Sequence, residues 1–119
     1  MESSRETNKI IEERQILEQH LSEFLAQKQV IQVELQEISN ALEDLEKTED
    51  DVYKILSGIM IKADKNVLLM ELGEKRRVLQ LKISAIEKQE KIIEDKINKT
   101  RKKIEELLNK DNKKVKIIE

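Results

Sequence analysis

Apolar residues recur along the first part of the chain at Ile10, Leu17, Leu21, Phe24, Ile31, Leu35, Ile38, Leu42 and Leu45, with alternating steps of four and three wherever the series is complete. That spacing puts them on one stripe of an α-helix and predicts a coiled-coil seam. Arg14 and Lys28 are its polar members. The pattern predicts a first helix over about 8–49, ending where Glu46, Glu49, Asp50 and Asp51 concentrate negative charge. A second seam runs through Leu69, Leu72, Leu79, Ile83, Ile86, Ile93, Ile97, Ile104 and Leu107, with Arg76, Glu90 and Thr100 as its polar members. It predicts a second helix over 65–109, with Asp64 as an N-cap whose carboxylate suits the first free amides. Gly73 falls inside this helix and weakens it by about 1 kcal/mol relative to alanine. Beyond Leu108 the periodicity loosens, so 110–119 reads as a flexible tail.

Between the seams the pattern changes. Val52–Leu56 and Ile59–Ala63 are rich in β-branched and aromatic residues and flank Ser57-Gly58, the signal for a hairpin with a two-residue turn. With that turn, Leu56 faces Ile59, Lys54 faces Ile61 and Val52 faces Ala63, while Ile55/Met60 and Tyr53/Lys62 share the other side. Both faces are largely apolar, and a lone two-stranded hairpin is marginal in water. The hairpin therefore reads as an assembly element whose edges are completed by other chains. The alternative is a hairpin folded back onto its own helices.

Two stripes of nearly equal length joined by a chain reversal predict an all-α dominated fold, an antiparallel two-helix coiled coil within one subunit with a central β-hairpin. Matching Leu45 with Leu72 and Ile10 with Leu107 sets Ile38 by Leu79, Ile31 by Ile86 and Phe24 by Ile93. The same register places Lys28 opposite Glu90, so two polar interruptions coincide, a device for fixing alignment more than for adding stability.

Composition agrees with long helices. Of 119 residues 40% are charged and 2% aromatic, with no proline and two glycines. The absence of cysteine excludes disulfides and thiolate metal sites and fits a reducing cytoplasm. No signal-peptide pattern opens the chain, and the longest apolar run, Val67 to Met70, is far too short to span a bilayer, so a soluble protein is expected. A net charge of −2 gives no global argument for nucleic acid or membrane partners.

Catalysis has little to use. His20 is the one histidine and lies off the seam, and the carboxylates fall mostly on outward helix faces. Gly58 and Gly73 form no phosphate loop, so neither an enzyme nor a cofactor or metal site is expected. Lys99 to Lys116 carries eight basic residues against Glu105, Glu106 and Asp111. Without stacking aromatics this reads as a solvated basic helix end, with nucleic-acid binding the disfavoured alternative. At the ends of the seams, Ile10 and Leu107 partly close the last layer, whereas Ile11 and Leu108 lie off the stripe and offer exposed apolar contact. Val115, Ile117 and Ile118 add apolar groups on the tail.

A long helix, DDVYK, a hydrophobic hairpin with one glycine, IKADK, and a second long helix with Glu71-Leu72 near its start closely resemble the prefoldin beta subunits, most like the archaeal form, over Ile10 to Leu108. The resemblance implies a cytoplasmic hexamer of two alpha and four beta subunits, alpha2 beta4, whose hairpins join into an intersubunit β-barrel. It further implies an ATP-independent holdase that captures non-native polypeptides at coiled-coil tips and delivers them to a group II chaperonin. Carried onto this sequence, assembly falls on Val52, Tyr53, Ile55, Leu56, Ile59, Met60 and Ile61. Client contact falls on Ile10, Ile11, Leu107 and Leu108. Gly73 and the basic tail depart from the pattern. A structural coiled-coil adaptor without client binding is the alternative function.

Overall fold

The computed structural model describes residues 2–118, with side chains described for residues 4–110. In chain order they form α1 (Glu2–Lys47), β1 (Val52–Leu56), β2 (Ile59–Ala63) and α2 (Lys65–Ile118). α1 stops at Lys47, two residues short of the expected 49, while the outer ends of both helices run further than the seams alone predict. α1 starts several residues before 8, and the backbone of α2 continues through 110–118, where loosened periodicity suggests a flexible tail. Apolar periodicity reports which residues are buried, not where the hydrogen-bond ladder stops. No proline or glycine follows residue 108 to end the ladder.

The residues fall into two compact units. The hairpin unit, residues 27–85, holds the second part of α1, the hairpin and the first part of α2. Its core is Ile38, Leu42 and Leu79, with Ile31, Leu35, Leu69 and Leu72 packed against them. These are seam residues from both helices, so Ile38 and Leu79 meet as the heptad register expects. An ion pair from Lys75 to Glu34, 3.2 Å long, ties the same two helices on the surface. Both side chains are exposed, so it contributes little. In the terminal unit, Ile86, Ile93 and Ile97 of α2 are buried, together with the polar members Glu90 and Thr100. Thr100 is accommodated by its own helix, its hydroxyl donating to the Ile97 carbonyl at 2.7 Å. Ile10, Leu17, Leu21 and Phe24 form the half-buried α1 side of this unit.

Between Leu69 and Leu107 only Arg76 among the seam positions is exposed. A long side chain at such a position keeps its guanidinium in water while its methylenes cover the seam.

Local chemistry sets the element ends. The Asp64 carboxylate accepts from the backbone N–H groups of Asn66 (2.8 Å) and Val67 (3.3 Å), which makes it the N-cap of α2. At the end of α1 the carbonyl of Thr48 accepts from Lys65 Nζ at 2.8 Å, so the first residue of α2 places a cation where the α1 dipole is negative. The turn has φ of 51° at Ser57 and 78° at Gly58. Positive φ at both central positions is the type I′ geometry that matches the twist of a two-residue hairpin. Glycine accepts it freely; serine bears a steric cost.

Gly73 is an ordinary helical residue, and apart from its chain neighbours and its own helix backbone no heavy atom lies within 4 Å of where a Cβ would stand. Nothing in the structure explains why glycine occupies this position. One residue later Glu74 bonds Arg77 at 2.6 Å, and this pairing holds the Glu74 carboxyl below its ordinary range. Gly73→Ala is expected to stabilise the fold by about 1 kcal/mol, read as a raised denaturation midpoint in urea. An unchanged or lowered midpoint would mean that the glycine serves a contact absent from the isolated chain.

Candidate functional site

The strand pairing is Val52↔Ala63, Tyr53↔Lys62, Lys54↔Ile61, Ile55↔Met60 and Leu56↔Ile59, the register that the two-residue turn predicts. Two strands make the whole sheet, so among the described residues both outer edges lack a neighbouring strand. Exposure is the telling quantity. Ile55 is 73% exposed, Met60 70% and Ile59 64%, with Tyr53, Leu56 and Ile61 also exposed and Val52 half-buried. The hairpin does not fold back to bury these side chains on its own helices. Apolar residues of this size gain about 1.5–3 kcal/mol each on full burial, so their joint exposure leaves a large unrealised driving force for association.

Where the hairpin meets the helices, two grooves continue the apolar surface. Val52 and Tyr53 line one with Ala41, Leu45, Leu68 and Leu72. Ile61 and Ala63 line the other with Val67 and Leu68, and the charged Lys54, Lys62, Asp64 and Glu71 border it. A further feature was hidden from the seam reading. On α2, Met70 (77% exposed) and Leu81 fall opposite the seam, flanked by exposed Val67 and Val78. The signal was present in the sequence as a second 3.6-residue recurrence, but the stronger heptad stripe beside it masks it.

In the terminal unit, Ile10 and Leu107 are half-buried seam residues, whereas Ile11 and Leu108 are exposed. The structure thus separates these four residues as the seam geometry expects. Val115, Ile117 and Ile118, with Lys113, Lys114 and Lys116, lie outside the residues whose side chains are described. Lys99, Arg101, Lys102, Lys103 and Lys110 are exposed, as is His20. Glu90 is buried within the terminal unit, and Lys28 is half-buried in the hairpin unit. Among the described residues there is no His, Cys, Asp or Glu cluster able to hold a metal, and no helix is long and apolar enough to cross a membrane.

Two seamed helices with an exposed, open-edged apolar hairpin between them define a coiled-coil class in which the hairpin, and not a pocket, is the distinctive surface. The model of the prefoldin subunit family matches residues 8–111, and the chain belongs to that family. It is 39% identical over 82 residues to prefoldin subunit beta of Thermococcus onnurineus, an alignment covering 67% of this chain and 71% of the relative. It is 34% identical over 85 residues to prefoldin subunit beta of Saccharolobus islandicus, covering 70% and 68%. Among solved structures, the prefoldin beta subunit from Thermococcus strain KS-1 superposes with a TM-score of 0.79 at 30% identity, covering 85% of this chain and 90% of that one. The beta2 subunit from the same strain shares the fold, with a TM-score of 0.65 at 21% identity over 83% and 99%.

Proposed function

We propose that this chain is a beta-type subunit of a cytoplasmic, ATP-independent holdase, assembled with alpha-type subunits and further copies of itself as an alpha2 beta4 hexamer. In this reading the hairpin residues Val52, Tyr53, Ile55, Leu56, Ile59, Met60 and Ile61 build the shared hub. The ends of the coiled coil, at Ile10, Ile11, Leu107 and Leu108, hold non-native polypeptides before delivery to a group II chaperonin. The observation that carries the reading is the hairpin itself, largely apolar on both faces and, among the described residues, without a neighbouring strand on either outer edge. The exposed Ile11 and Leu108 support the second half. Contact at several linked ends raises effective concentration, so weak individual contacts suffice once the subunits assemble.

The test is aggregation of a chemically unfolded protein, without nucleotide, in the presence of the chain assembled with an alpha-type subunit. The intact complex is expected to suppress aggregation near one complex per client, and a complex lacking residues 1–13 and 104–119 is expected to lose most of that suppression. Failure of the intact complex would move the function to a structural adaptor.

A further inference from the structure

Within the terminal unit, Ile16 and Leu17 of α1 and Thr100 of α2 floor an open groove whose rim is charged. Ile16 lies off the seam and is 54% exposed, so the floor is apolar surface that its own coiled coil leaves uncovered. The two walls differ in sign. Lys96, Lys99 and Lys103 stand along the α2 side, and Glu13 stands on the α1 side. All four charged residues are exposed. The lysines are three and four residues apart, so they rise along the helix by roughly 4.5 and 6 Å, about one helical turn per step.

We propose that this groove selects polypeptide segments in which apolar residues are flanked on one side by carboxylates. The inference rests on the holdase reading and deepens it by naming the chemistry of the client. The apolar floor takes the hydrophobic side chains, and the lysine row takes Asp or Glu side chains repeated at helical spacing. Glu13 on the opposite wall disfavours acid on both flanks and so gives the bound segment a direction. Three lysines against one glutamate leave a positive field over an apolar strip, which is charge complementarity to an acidic amphipathic segment and repulsion of a basic one. A nucleic-acid strand fits less well, because the groove offers no aromatic side chain for a base to stack on.

The experiment uses the complex assembled with an alpha-type subunit and three fluorescent peptides sharing one set of apolar residues, with Glu, Gln or Lys at the flanking positions. Affinity is read by anisotropy at low and high salt. The Glu peptide is expected to bind about tenfold more tightly than the Lys peptide, with Gln between, since a few exposed pairs together supply this much. The gap is expected to shrink as salt rises and to disappear in the Lys96→Gln, Lys99→Gln, Lys103→Gln variant, whose assembly is verified by mass. Equal affinities for the Glu and Lys peptides, or a gap that survives the triple substitution, would overturn the proposal. So would lysine-dependent binding of single-stranded DNA without charge selection among the peptides. If the complex binds none of the peptides yet still suppresses aggregation of an unfolded protein, charge selection fails and the holdase reading stands. Loss of both removes both.

Discussion

Replacing Ile59 and Ile61 with aspartate is expected to leave the chain as a single subunit that retains its helices and has no holdase activity. Both residues lie on β2, facing Leu56 and Lys54 across the ladder, and both are exposed in the isolated chain. In the subunit alone the substitutions therefore disturb little. In a shared hub each would put a carboxylate among apolar side chains, a transfer that costs several kcal/mol unless the group is paired. Light scattering should report subunit mass in place of the mass of the proposed assembly, circular dichroism should report unchanged helicity, and aggregation should proceed as though no chaperone were present. A full-size complex that still protects a client would refute the assignment of assembly to the hairpin.

Leu79→Ala is expected to destabilise the fold by about 2–4 kcal/mol, while Leu81→Ala, two residues further on, stays within about 0.5 kcal/mol in the unassembled chain. Leu79 is buried in the core of the hairpin unit, and removing its side chain leaves a cavity between the helices. Leu81 is 57% exposed on the opposite face of the same helix and has little burial to lose. Urea unfolding followed by circular dichroism distinguishes the two. Comparable losses at both positions would contradict the seam as the source of stability.

The pair also shows how much was legible in the sequence. Alternating steps of three and four identify Leu79 as core, because a heptad stripe can be satisfied only by a facing helix. The hairpin was legible for a related reason: five residues on each side of Ser57-Gly58 leave one register that a two-residue turn can close. Its exposure was legible too, since nothing else in the chain supplied strands to cover it. What the sequence hid was whatever depends on a weaker signal beside a stronger one. Met70 and Leu81 stand at helical spacing, but the heptad seam beside them is longer and more regular. Ile16 reads as an off-stripe residue until Lys96, Lys99 and Lys103 are placed beside it, a juxtaposition of residues some eighty positions apart. The helical backbone of α2 runs past the point where apolar periodicity loosens, because that periodicity reports burial and not the hydrogen-bond ladder.

The open hairpin edge also ties the state of the chain to supply. A sheet with no covering layer of its own gains order by mass action, so its stability in an assembly of the proposed kind rises with partner concentration and falls on dilution. An orphan copy displays Ile55, Leu56, Ile59 and Met60 along two free edges, the arrangement that recruits any extended strand, native or not. Lys54 and Lys62 are the charged residues set into those strands, and charge in an edge strand is unfavourable to such pairing. In an assembly of the proposed kind, the partner concentration thus sets how much of this surface stays uncovered.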